Sequence, residues 1–179
     1  MLIVIAGLIG AGKTTIAREV SKRLNIPSYS IDEDKKRIYK QYPAYEHHMA
    51  NNIPFPDELW KKTADVSLEG LRQLSKNNKH VIVEETFRRK SLREPFFEEA
   101  AKLFGGMILT LVTVDESLVK ERMDKRAKEE NHMVGYGMYL STKKYFEPFD
   151  HVDYTFVNEG NYEENVEKYV KFLKERLLL

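Results

Sequence analysis

The sequence has no cysteine in its 179 residues. Disulfide frameworks and thiolate chemistry are thereby excluded, and the chain suits a reducing compartment. A dominant charge sign is missing too: 29 lysines and arginines face 28 aspartates and glutamates, for a formal net charge of +1. No global electrostatic footprint for a long nucleic-acid tract exists, so any basic site has to be local. Apolar runs of membrane-spanning length are absent. The opening "LIVIAG" is short, lacks a basic segment before it, and runs into glycines with a lysine among them. It reads as a buried strand and not a signal peptide, and the expectation is a soluble cytoplasmic protein without membrane contact. Internal repeats and low-complexity linkers are also lacking, and the length bounds the chain to one domain, 1–179. Nothing in the residues specifies an oligomeric state.

What is present alternates. Apolar runs at Leu2 to Ala6, Pro27 to Ile31, His80 to Glu84, Met107 to Val114 and Tyr154 to Val157 read as strands. Between them lie amphipathic stretches. Ile16, Val20 and Leu24 share a stripe after Lys13, and Trp60, Ala64, Leu71 and Leu74 mark a helix from about Asp57 to Lys76. Ser91 and Glu94 form a capping-box pattern, another helix runs from Asp115 to about Glu130, and the last follows Asn161. Such alternation predicts an α/β fold, an open parallel sheet of about five strands flanked by helices. Lys40 to Pro56 and Glu130 to Tyr139 lack regular periodicity, and long irregular segments in compact domains are more often functional than filler.

One short stretch carries specific chemistry. Gly7-Leu8-Ile9-Gly10-Ala11-Gly12-Lys13-Thr14 satisfies G-x-x-x-x-G-K-[ST], followed by Thr15, between a buried strand and a helix. Glycines let backbone N–H groups turn inward as an anion nest, and the helix adds its positive end. Lys13 then places a charge on the β and γ oxygens of a triphosphate, and the Thr14 hydroxyl ligates the bridging magnesium. The expected ligands are ATP and Mg2+. A guanine-specific N-K-x-D motif does not occur, and the length argues against a motor ATPase.

Further candidates follow the strands. Asp32 and Asp34 stand just beyond the second strand, with Arg37 one turn later, where ligands of open α/β sheets bind. A carboxylate there can orient an acceptor hydroxyl and take its proton, with a cation beside it; the alternative is a helix start favoured by the dipole. Glu84 and Glu85 end the third strand, where an acidic residue holds magnesium or its water, and strand parity alone does not choose between them. Arg88 and Arg93 follow as candidates for an anionic acceptor. Arg122 and Arg126 lie four apart on one helix face before Gly135-Tyr136-Gly137, as expected of a lid that closes over the γ-phosphate. Tyr39, Tyr42, Tyr45, His47, His48, Phe55 and Trp60 could stack an acceptor ring, but as a set they read more simply as packing for a small cap.

With "GLIGAGKTT", "IDEDKKR", "VIVEETFRR", "ERMDKR", "YFEP" and "FVNEG" in this order, the chain resembles the P-loop kinases of small molecules and nucleotides. That group includes adenylate, shikimate and gluconate kinases, zeta-toxin-like proteins and the 5′-hydroxyl kinase domain of polynucleotide kinases. The resemblance implies five parallel strands with the "VIVEE" strand beside the phosphate-loop strand. It implies an acceptor segment near residues 40–60 and a lid near 118–145. It makes Asp32 a magnesium-water partner, Asp34 the residue facing the acceptor hydroxyl, Arg37 its companion, and Asn158 and Gly160 neighbours of the adenine. The chain departs from the family in having glutamate where that branch usually has aspartate, and in lacking the acceptor motifs of adenylate and gluconate kinases. The leading reading is an ATP-dependent kinase of a small hydroxylated metabolite or nucleoside-like acceptor. A 5′-hydroxyl polynucleotide or RNA-end kinase is the runner-up, and a nucleotide-binding regulator with little or no transferase activity is the third.

Overall fold

The computed structural model describes residues 1–129 and 135–179, the side chains of 126–129 excepted. Five parallel strands form one sheet in the order β2-β3-β1-β4-β5. They are β1 (Leu2–Ala6), β2 (Ser28–Ser30), β3 (Val81–Glu85), β4 (Met107–Thr113) and β5 (Tyr154–Val157). The phosphate-loop strand β1 thus sits between β3 and β4, as the resemblance implied. Every residue of β1 and β3 is buried, which is why both read as unbroken apolar runs up to their carboxyl ends.

Strand parity divides the interior in two. Ile3, Ile5, Ile82, Ile108 and Val112 face α1 (Lys13–Leu24) and α8 (Tyr162–Leu177), where they meet Ile16, Val20, Tyr169 and Leu173. Leu2, Val4, Val81, Val83 and Leu109 face the other way, toward Trp60, Ala64 and Leu71 of α4 (Asp57–Ser75) and Phe96 and Phe97 of α5 (Lys90–Phe104). A smaller cluster seats Val119 and Met123 of α6 (Glu116–Glu129) and Tyr139 of α7 (Tyr136–Lys144) on Leu8 and Ile9, at the tip of the loop after β1.

Three local expectations need correction. Lys40 to Pro56 contains a helix, α3 (Tyr45–Ala50), and the later irregular segment becomes α7 from Tyr136 onward; its residues 130–134 lie outside the described residues. Phe55 gathers the aromatics of the first segment: Tyr45 and His48 stack on it at centroid distances of 5.7 and 5.0 Å, and Tyr39 meets it at 4.8 Å. These contacts are between residues distant from any helical period, so periodicity misses them. The capping box at Ser91 does not form, because α5 starts two residues earlier, with Arg89 at its N-cap, and the Lys90 amide donates to the Glu147 carboxylate. A tertiary cap replaces the local one.

Arg93 has the largest correction. Expected to bind an acceptor, it is 1% exposed, with Nη1 donating to the carbonyls of Phe87 (3.1 Å) and Glu147 (2.7 Å) and Nη2 to that of Pro148. Its guanidinium lies 4.1 Å from the Phe149 ring centroid. Phe87 adopts φ 51°, a left-handed conformation rare for a bulky side chain, and packs among Trp60, Phe96 and Phe97. Arg93 therefore holds the turn that leads the chain out of β3. Arg93→Met is expected to destabilise the fold by about 3 kcal/mol, since one buried and two part-buried carbonyls lose a charged donor. Urea unfolding checks this, and a loss below about 1 kcal/mol would contradict the structural role.

Candidate active site

The loop between β1 and α1 is shaped by what its neighbours occupy. A Cβ on Gly7 would lie 2.5 Å from the Val112 carbonyl oxygen, and one on Gly12 would lie 2.3 Å from Asn158 Nδ2. Both residues also have positive φ, 149° and 95°, so only glycine fits either place. Gly10 and Ala11 complete the bend, and the Ala11 N–H donates to the Leu8 carbonyl at 3.2 Å. Lys13 opens α1 yet is 9% exposed, with Nζ donating to the Leu8 carbonyl at 3.0 Å. Burial lowers its pKa, while the carboxylates of Glu84, Glu85 and Asp32 work against that fall. An ammonium so enclosed is primed for further anionic partners. Thr15 is exposed beside it.

Strand register separates the two glutamates. Glu84 pairs with Ile5 and faces α1, where the Thr14 hydroxyl donates to its Oε1 at 3.1 Å. Burial raises the Glu84 carboxyl, against the pull of Lys13. Glu85 pairs with Ala6 and faces α2 (Ile31–Tyr39), accepting from Lys35 Nζ at 2.8 Å. Asp32, expected at the metal, lies beside the Glu85 carboxylate. Burial first and the Glu85 carboxylate second push Asp32 up to about 7. Burial works to raise Glu85 as well, but Lys35, Asp32 and Lys13 together overcome it and hold this carboxylate low. Glu85 and Asp32 therefore form a carboxyl pair clamped by Lys35, and Thr14 with Glu84 is the oxygen pair placed at the loop. Among the described residues no three His, Cys, Asp or Glu side chains gather as a metal cage. A hydroxyl and a carboxylate of hard oxygen chemistry fit magnesium that arrives with phosphates, the mode in which this ion keeps most of its other ligands.

Asp34 stands on the opposite face of the sheet from α1, in the first turn of α2, whose start is capped by Ser30. It is 9% exposed. Oδ2 accepts from the Tyr29 hydroxyl (2.5 Å) and the Ser67 hydroxyl (3.0 Å), and Oδ1 from Arg37 (2.9 Å). The sequence indicated Asp34 and Arg37 but missed Tyr29 and Ser67. Ser67 lies on α4, far away in sequence, and no local pattern joins it to Asp34. Arg88 reaches toward the cap, 3.4 Å from the Phe55 carbonyl and 3.9 Å from Asp57. An open cleft of about 420 Å³ beside it is lined by Phe55, Pro56, Asp57, Arg89 and Tyr145.

At the other end Arg122 donates to the Asn158 carbonyl at 3.1 Å. Asn158, expected near an adenine, instead turns its buried amide to the Ala11 carbonyl at 2.7 Å. Gly160 has φ 67° and no neighbour where a Cβ would stand. The Arg126 side chain lies outside the described residues.

Sheet order, loop and the lysine at the helix mouth define a phosphate-loop α/β protein. A family described as AAA domain matches residues 3–138, and the chain belongs to that family. No curated protein matches the sequence. Among solved structures, the fold resembles a sugar kinase from Janibacter sp. HTCC2649, at 18% identity and TM-score 0.75, covering 97% of this chain and 94% of that one. It also resembles a gluconokinase from Sinorhizobium meliloti 1021 at 20% identity and TM-score 0.70, covering 98% and 94%. A shikimate kinase from Aquifex aeolicus shares 20% identity at TM-score 0.52, with 99% of each chain covered. The fold is that of the P-loop kinases. Among the described residues no helix is long and apolar enough to cross a membrane.

The carboxyl pair has a pH signature. Asp32 binds its proton more tightly folded, at about 7, than unfolded, where an aspartate has its ordinary value of 3.8. Its contribution to stability is complete below the unfolded value and is lost as pH rises through the folded one. Glu85 shifts the other way and acts only at the acid end. Asp32→Asn is expected to flatten the decline in melting temperature between about pH 4 and 8. Equal slopes in the two proteins would contradict the shared-proton pair.

Proposed function

We propose that the chain is an ATP-dependent kinase that moves the γ-phosphate of Mg-ATP to a hydroxyl of a small metabolite or nucleoside-like acceptor. The observation that carries this reading is the enclosed Asp34 carboxylate, beyond the end of β2 in a phosphate-loop fold. The fold neighbours, described as a sugar kinase, a gluconokinase and a shikimate kinase, support a hydroxylated small acceptor. Residues near 40–60 serve as the acceptor cap and those near 118–145 as the lid. A cysteine-free, near-neutral chain suits such work in the cytoplasm.

Each residue has one task. The loop from Gly7 to Thr15 and the Lys13 ammonium grip the phosphates, releasing the Leu8 carbonyl as the stronger anionic partner arrives. Thr14 and Glu84 would hold magnesium or its water, and the ion would supply charge neutralisation to the phosphates. Oδ2 of Asp34 already accepts two hydroxyl protons, so Oδ1 is left to share between Arg37 and the acceptor. The acceptor O–H proton passes to Asp34, the acceptor oxygen bonds the γ-phosphorus, and the bond to the β-bridging oxygen breaks to leave ADP. Arg122, and Arg126 beside it on α6, neutralise charge on the transferred group when the lid closes.

Asp34→Asn is expected to lower acceptor-dependent ADP formation about 100-fold or more, with Mg-ATP affinity within about threefold of the parent. Lys13→Ala should lose both. The assay presents Mg-ATP with pooled sugars, polyols and hydroxy acids, pooled nucleosides and nucleotides, and 5′-hydroxyl oligonucleotides. Unchanged turnover in Asp34→Asn would remove it from the chemistry. Stimulation confined to the oligonucleotides would replace the small acceptor with a nucleic-acid end.

A further inference from the structure

Asn158 joins three parts of the molecule. Its backbone N–H donates to the Thr113 carbonyl at 2.8 Å, continuing the pairing of β5 with β4 beyond Val157. Its backbone carbonyl accepts from Arg122 of the lid. Its side-chain amide, 8% exposed as a residue, donates to the carbonyl of Ala11 inside the phosphate loop. The space it fills is the one a Cβ on Gly12 would need. Asn158 and the glycine of the motif are therefore complementary shapes, and the sheet edge is braced directly against the loop.

The direction of that hydrogen bond matters. In a planar trans peptide the C=O and the following N–H point to opposite sides. Fixing the Ala11 carbonyl on Asn158 fixes the Gly12 N–H in the opposite direction. We propose that Asn158 is a positioning residue that aims the Gly12 N–H at the nucleotide phosphates, and that it does not read the base. This rests on the reading of the loop as a triphosphate site. A loop with an unpinned peptide would have to order that N–H when the phosphate binds, at a cost taken from affinity. Asn158 is the residue that does this work in advance, from a strand more than a hundred residues away in sequence.

The test compares two probes, Mg-ATP and magnesium tripolyphosphate, which has the phosphates and no base. Both are titrated calorimetrically, with tripolyphosphate also run as a competitor of Mg-ATP. Asn158→Asp keeps the size but presents an acceptor to the Ala11 carbonyl, and Asn158→Ala removes the group. Both variants are expected to lose about tenfold or more in affinity for both probes in parallel. Asn158→Ser, whose hydroxyl can still donate, should recover part of the loss and keeps the test open where the other two fold poorly. A purely structural role would lower the ligand-free melting temperature and leave both affinities unchanged below it. That outcome overturns the proposal, as does a loss for Mg-ATP alone, which would put Asn158 on the base. A parent protein whose Mg-ATP is not displaced by tripolyphosphate overturns it too. Failure of the parent to bind either probe strikes instead at the triphosphate reading itself, so the two failures are distinct.

Discussion

A lysine ammonium that is almost withdrawn from water needs oxygen atoms around it, and the site is arranged around that need. Lys13 finds the Leu8 carbonyl by direct contact and a field from Glu84, Glu85 and Asp32 that opposes the effect of burial. For the carbonyl to be there, the loop must bend back over the start of α1. The bend requires glycine where Val112 and Asn158 press on it. For the carboxylates to be there, β3 must lie beside β1 with its acidic end level with Ile5 and Ala6. Charge burial, backbone conformation and strand order are thus parts of one arrangement.

The two faces of β3 then divide the work. Glu84 turns to α1 and the loop, and Glu85 turns to α2, where Lys35 and Asp32 tie it down. The same face of the sheet as Glu85 brings α2 and α4 together around Asp34, whose carboxylate is oriented by a strand tyrosine, a helix serine and an arginine. Parity of a single strand therefore separates the surroundings of the phosphate loop from those of Asp34.

The strands and the phosphate loop were legible because their signals are local: unbroken apolar runs for fully buried parallel strands, and a motif that needs both its glycines and its flanking elements. The parity of Glu84 and Glu85 was not, since it is fixed by pairing with β1 and by what covers each face. Arg93 looked like a binding cation beside Arg88 and proved to be the buried support of a left-handed turn, because its carbonyl partners at Glu147 and Pro148 are far along the chain. The start of α5 escaped for the same reason, its cap coming from Glu147. Asn158 was indicated by its place after the last strand, but its contact with Ala11 exists only in three dimensions. α3 and α7 are short, their aromatic residues meet one another more than they follow a stripe, and period-based reading has little to detect there.

The proposed reaction is transfer of a phosphoryl group to a carbon-bound hydroxyl. The most direct measurement supplies ATP labelled with oxygen-18 in the γ-phosphate and follows the heavy oxygens by mass spectrometry in the presence of hydroxylated acceptors. A kinase of this kind places the label in a phosphate ester of one acceptor class, together with unlabelled ADP. Label that stays in ATP, or that enters free phosphate at a rate indifferent to every acceptor, would contradict it.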